Sequence, residues 1–279
     1  MRAIRRLATN RLAGAGAVAI VLIVFTAVFA PVIAPQDPID LHVRERFAPP
    51  FSGEYILGTD EVGRDVLSRV IYGSRVSLMV AALAVSGATL VGGGIGVLSG
   101  YFGGWLDGIL MRIVDVLFAI PTLMIALSVI GLFGRTMNAI IFALIVGYSP
   151  LFARVSYSAT VAVREQPFVE ASRALGASPW LILRQDVLPN IFPLVVVQMT
   201  TYIARAILAE ASLGFLGLGV QPPTPTWGAM LSLSREYFYH SPTLPIWPGL
   251  AILIAVFSFN LFGDGLRDLL DPRAWQAGE

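Results

Sequence analysis

Arginine supplies all 19 basic residues of this chain, cysteine is absent and only two histidines occur, so few side chains could do covalent or metal chemistry. A nucleotide-binding P-loop needs Gly-x-x-x-x-Gly-Lys-Ser/Thr, because the lysine ammonium reaches the terminal phosphates while loop N–H groups cradle them. Without lysine the chain can contain none. The missing thiols remove disulfides, thiolate nucleophiles and iron-sulfur ligation together. His42 and His240 stand far apart in the sequence and give no metal-ligand spacing. No convincing acid-base pair or nucleophile constellation appears, so the reading is of a non-catalytic chain with no catalytic, cofactor-binding or metal-ligating residue.

What remains are ionisable groups beside apolar runs and one loop of unusual composition. Arg112 with Asp115, and Arg205 with Glu210, border such runs. Charges inside a membrane are costly and point to function, but these lie near enough to run ends that they are expected to snorkel to an interface. Glu210 is the best of them for solute contact, because it directly precedes a glycine-rich stretch. Within that stretch Gly214, Phe215, Gly217 and Gly219 are candidates for lining or gating a pathway. The loop lies between Arg154 and Pro189 and reads as two short helices. The first passes through REQPFVEASRALG, with Pro167 near its start and Gly176 as its left-handed stop. Ser178 then caps a second helix whose first residue is Pro179, running on through WLILRQDVL until Pro189 restarts the chain. Phe168, Leu175, Trp180 and Ile182 would make this pair either a cap on its own bundle or an apolar knob for a soluble partner.

The elements that must position these residues are membrane helices. Hydrophobic residues make up 56% of the chain and charged ones 13%, against about 25% charged in soluble domains. The mean hydropathy is +0.75 and the net charge +1, which leaves no basic field for nucleic acid. Six runs approach the roughly 20 residues needed to span a bilayer. They are Leu12 to Gln36, Val76 to Leu106, Asp115 to Arg135 with a bend at Pro121, and Arg135 to Arg154. A fifth runs from Leu188-Pro189-Asn190 to about Ala209, and the sixth from about Leu244 to Phe262. The first exceeds the apolar length of a cleaved signal peptide. In the second, Gly92, Gly96, Gly100, Gly104 and Gly108 recur every four residues, a stripe for close helix approach in which the last glycines could instead form a turn.

The uncharged ASLGFLGLGVQPPTPTWGAML, with its glycines and prolines, reads as broken or re-entrant backbone. Between the first two runs, residues from Asp60 read as a short amphipathic helix at the outer interface. Its pairs would be Asp60 with Arg64 and Asp65 with Arg69. Residues 1–75 thus form a tail, a first span and an outer segment, and 76–279 a core of five spans with the long loop at 154–190. An N-terminus inside puts 11 arginines on inner segments and seven on outer ones, which favours both termini in the cytoplasm.

The stretch EASRALGASPWLILRQDVLP, from Glu170 to Pro189, resembles the EAA loop of ABC-importer permeases at Glu170, Ala171, Gly176, Leu188 and Pro189. It departs from that pattern at Ser172 and Asp186. LGTDEVGRDVLSRVIYGSRVSL, SLGFLGLGVQPPTPTWGAML and NLFGDGLRDLLDPR resemble the C-type permeases of dipeptide, oligopeptide and nickel uptake. The resemblance implies an all-α type I ABC-importer permease of about six transmembrane helices in a bacterial or archaeal cytoplasmic membrane. It also implies a second homologous permease, two ATP-binding subunits that hold ATP and magnesium, and an extracytoplasmic solute-binding protein. The ATPase-coupling residues would be Glu170, Ala171, Ser172, Leu175, Gly176, Ala177, Ser178, Pro179 and Trp180. Peptides are the implied cargo, with nickel chelates, glutathione or saccharides as others. A secondary transporter or channel is the rival reading, and it would need a buried ionisable relay that the spans do not display.

Overall fold

The computed structural model describes residues 11–270. Arg2, Arg5, Arg6 and Arg273, which enter the orientation argument, lie outside them. The described chain is helical: α1 (Arg11–Val28), α2 (Val66–Phe102), α3 (Gly104–Phe118), α4 (Thr122–Phe133), α5 (Met137–Arg164), α6 (Pro167–Ala174), α7 (Pro179–Phe215), α8 (Trp227–Glu236) and α9 (Ile246–Leu270). Four of these, α2, α5, α7 and α9, are long and apolar enough to cross a membrane. The pair α3 and α4 makes a fifth crossing if taken as one span, broken by an 89° bend at Ala119–Pro121. Pro121 is the physical cause, since it lacks an N–H donor and holds its own backbone extended at ψ 133°. The apolar part of α1, Leu12–Val28, is shorter and packs along α9 and α2.

The core is built from small and aliphatic residues where α2, α5, α7 and α9 meet. Val80 and Ala84 of α2, Leu144 and Phe152 of α5, Ile207 of α7 and Phe259 of α9 belong to it. The glycine stripe explains how closely α2 and α5 approach. A Cβ on Gly92 would stand 2.0 Å from the Ser149 carbonyl oxygen, and one on Gly96 2.2 Å from that of Ala153. Gly100 fits against Tyr157 and Thr160 at 3.0 Å. The stripe ends there. Gly103 and Gly104 have φ of +65° and +62° and form the turn into α3, and Gly108 faces open space.

Two expectations about helix boundaries fail for the same reason, that a local pattern was satisfied by a different backbone. The helix expected from Asp60 does not exist. Residues 60–64 form a turn in which Gly63 has φ +84°, and the helix starts at Val66 as the first turns of α2. Asp65 is its N-cap, accepting from the backbone N–H and the hydroxyl of Ser68 at 2.8 and 2.6 Å. Asp60 and Arg64 do pair, at 2.7 Å, but across the turn. Arg69 turns away from Asp65 to reach Asp60 at 3.4 Å and donates to the Pro38 carbonyl at 3.0 Å. Together with Gln36 N–H donating to Ser68 Oγ, this ties the chain leaving α1 onto the start of α2. Burial pushes the neighbouring Glu61 carboxyl above its usual range, and the Asp60 charge adds to it. A division at residues 75 and 76 therefore falls inside one helix.

The second failure is at Pro189, where no restart occurs. The expected second loop helix is the first part of α7, which continues through a wide π turn at Leu183–Val187 into the span. That turn releases the backbone from the i to i−4 pattern at the point where Pro189 lacks a donor.

Candidate functional site

The loop between α5 and α6–α7 keeps the geometry that its glycine, serine and prolines dictate. Helix α6 ends with the Gly176 N–H donating to the Arg173 carbonyl at 2.9 Å and the Ala177 N–H to the Ser172 carbonyl at 3.1 Å. This is the Schellman closure, and it requires the left-handed φ of +82° that Gly176 adopts. Ser178 Oγ then accepts from the Leu181 N–H at 3.4 Å, and Pro179 occupies the first turn of α7. Beneath this corner Val169, Ile182, Leu183, Val187 and Ile191 form a second apolar core with Tyr101 at the end of α2. Ile182 is therefore part of the base and does not belong to the exposed knob. The guanidinium of Arg173 lies 5.7 Å from the centre of the Tyr101 ring, and Arg164 donates to the Tyr101 carbonyl at 3.2 Å.

Above that base, Leu175 is 89% and Trp180 70% exposed, and Phe168 in the first turn of α6 is 43% exposed. Glu170, Ala177 and Pro179 share this corner, whose capping bonds leave little freedom in the angle between the two helices. A large apolar pair is thus held out from a packed base. Leu175 and Trp180 sit on opposite flanks of Gly176, so the left-handed turn sets their relative direction.

The second candidate, Glu210, is not at an interface. It is wholly buried in α7, and its Oε2 accepts from Ser77 Oγ of α2 at 2.8 Å. Its Oε1 has no hydrogen-bond partner among the described residues. The expectation that it would snorkel is corrected by packing. One turn further on, Gly214 meets the backbone of Gly228 in α8 at Cβ distances near 2.9 Å, and Gly219 folds back onto Gly214 at 2.6 Å. Gly217, with φ +75°, closes α7 through Leu218 N–H donating to the Leu213 carbonyl. Gly214 and Gly219 thus make the broken segment compact, while Phe215 remains partly exposed beneath the Arg235 guanidinium at 5.3 Å. Arg205 is exposed on α7 and donates to Tyr202 Oη at 3.1 Å, and Asp115 pairs with Arg154 of α5 and not with Arg112. Trp227, which the sequence reading passed over, donates from Nε1 to the Val70 carbonyl at 3.0 Å and seats against Gly73.

Glu210 therefore joins α2 to α7 above the crossing of α7 and α8. Replacing it with alanine removes an acceptor from the buried Ser77 hydroxyl and opens a cavity, and is expected to cost about 2–3 kcal/mol. Glu210→Gln retains an acceptor and is expected to cost about 1 kcal/mol or less. Thermal unfolding of purified protein checks this. The double variant with Ser77→Ala should lose less than the sum of the single losses.

The model of the binding-protein-dependent transport system inner membrane component matches residues 92–276. This chain belongs to that family. Residues 1–50 match the N-terminal transmembrane domain of oligopeptide transport permease C, a stretch that includes α1. Among similar relatives, the dipeptide transport system permease protein DppC of Alkalihalophilus pseudofirmus is 37% identical, covering 97% of this chain and 89% of that protein. The glutathione transport system permease protein GsiD of Pectobacterium atrosepticum is 38% identical, over 96% and 89%. The probable D,D-dipeptide transport system permease protein DdpC of Escherichia coli is 39% identical, over 92% and 86%. Two inward-facing crystal forms of the MetNI methionine ABC transporter share the fold at 24% identity. Their TM-scores are 0.58 and 0.60, and the likeness covers 72% and 73% of this chain. The permease is thus a multi-pass inner-membrane subunit of an ABC importer, one that works with ATPase subunits and is not itself the enzyme.

Proposed function

We propose that this permease forms half of the translocation pathway of a dipeptide or oligopeptide importer. A second, similar permease supplies the other half, two ATPase subunits holding ATP and magnesium dock at the α6–α7 corner, and an extracytoplasmic binding protein delivers solute. Both termini then lie in a bacterial or archaeal cytoplasm. The observation that carries this reading is the exposed Leu175 and Trp180 pair on a packed and capped base. A partner can shift the balance between inward-open and outward-open states only by binding one better than the other. A corner fixed by Gly176 and Ser178 can transmit that difference to α7, because it is continuous with the span.

The names of the relatives support peptides and glutathione as cargo class, since a peptide backbone is common to both. Coupling residues in this reading are Glu170, Ala171, Ser172, Leu175, Gly176, Ala177, Ser178, Pro179 and Trp180. Phe215, at the exposed end of the broken segment, is the pathway candidate that faces outward from its own chain.

Vesicles holding the permease pair and both ATPases, with the binding protein added on the opposite side, should take up dipeptide with ATP inside the ATPase-facing compartment, and vanadate should stop it. Trp180→Ala should cut uptake roughly thirtyfold, the factor for losing about 2 kcal/mol at an aromatic contact. Uptake by this chain alone on an ion gradient would replace the proposal with a secondary transporter.

A further inference from the structure

Between α1 and α2 lies a groove of about 590 Å³ that no part of the coupling argument uses. Val24 and Val28 of α1 line one side, Met79 and Ala82 of α2 the other, and Thr224 and Pro225 also line it. Arg75 stands in the same groove. Among the described residues the only contact recorded for its guanidinium is the Tyr72 ring, 6.0 Å from the ring centre, with no carboxylate. Positions 75, 79 and 82 share one face of a helix, so the charge and the apolar wall form a single strip about 10 Å long.

Arg75 is also the last charged residue before an uncharged stretch that runs from 76 to 106. The helical part of that stretch, 76–102, is about 40 Å long, more than the roughly 30 Å of hydrocarbon it must cross. The hydrocarbon therefore begins no earlier than Arg75, and we place its guanidinium at headgroup depth with the groove leading from it toward the apolar layer. The geometry points to a phospholipid held in this groove, its phosphate on Arg75 and an acyl chain along Val24, Val28, Met79 and Ala82. Arginine matches phosphate oxygens with its fork of donors, and the walls match methylenes. A peptide in the same place would bring amide groups that the apolar walls cannot satisfy. A second protein surface would leave the guanidinium buried without a partner unless it supplied a carboxylate.

The test uses the assembled transporter reconstituted in phosphatidylethanolamine and phosphatidylglycerol vesicles, extracted in detergent, and weighed intact by mass spectrometry. Wild type is expected to retain a phospholipid that Arg75→Gln loses. Ala82→Trp, at an exposed position that fills the groove, is expected to lose it too. Because the chain has no cysteine, Met79→Cys carries the sole thiol of this subunit for a photoreactive label, which should cross-link to phospholipid. Equal retention by all three proteins overturns the proposal. So does a cross-link from position 79 to another subunit, or displacement of the retained lipid by dipeptide.

Discussion

Replacing Gly176 with valine is expected to abolish uptake while the permease still inserts, folds and assembles with its ATPases. Nothing lies within 4 Å of a Cβ built at this position, so a side chain there meets no obstacle. The effect is carried by the backbone. The left-handed region costs an ordinary residue roughly 1–2 kcal/mol, and a β-branched one is a still greater outlier there. Valine would relieve that strain by opening the turn, which breaks the Ala177 bond to Ser172 and changes the direction of Trp180 relative to Leu175. The apolar base of Val169, Ile182, Leu183 and Val187 is untouched, so global stability should fall by little more than the strain itself.

Gly176→Asn separates this account from one based on side-chain size. Asparagine tolerates the left-handed conformation and should retain most uptake, although it is about as large as valine. Paired measurements of vesicle uptake and ATP hydrolysis check the series. If the valine variant transports normally, the turn does not set the coupling angle; if asparagine and valine fail alike, the site is limited by space at the docked interface.

How far the sequence could be read depends on the range of the interaction involved. The corner at Gly176, Ser178 and Pro179 was legible because a left-handed stop, a hydroxyl cap and a first-turn proline act within four residues of themselves. The bend at Pro121 was legible for the same reason. Asp60 to Arg69 misled because spacing of four suits a helix, yet Asp60 and Arg64 meet equally well across a turn. Gly63 held the correcting signal: a Cβ there would lie 1.9 Å from the His42 carbonyl, and Asp65 is a favoured N-cap residue directly before the helix that starts at Val66. Glu210 was placed at an interface because its partner Ser77 lies 133 residues away, a contact that no local pattern reports.

The glycine stripe is where local reading and packing diverge most, and it carries the second large prediction. By spacing alone Gly92, Gly96, Gly100, Gly104 and Gly108 are equivalent. Packing divides them, since a Cβ at Gly96 would sit 2.2 Å from the Ala153 carbonyl oxygen and 2.8 Å from the Tyr157 nitrogen, whereas one at Gly108 meets nothing. Both neighbours of Gly96 are backbone within α5, so they cannot rotate away as a side chain would. Gly96→Leu must therefore force α2 from α5, and is expected to cost about 3 kcal/mol or more. Gly108→Leu, on the exposed face of α3, should cost nothing and could gain about 0.5–1 kcal/mol from better helix propensity. Thermal unfolding of the two variants in detergent measures the contrast directly. Similar losses in both would overturn this division of the stripe, because nothing within the chain stands against a side chain at Gly108.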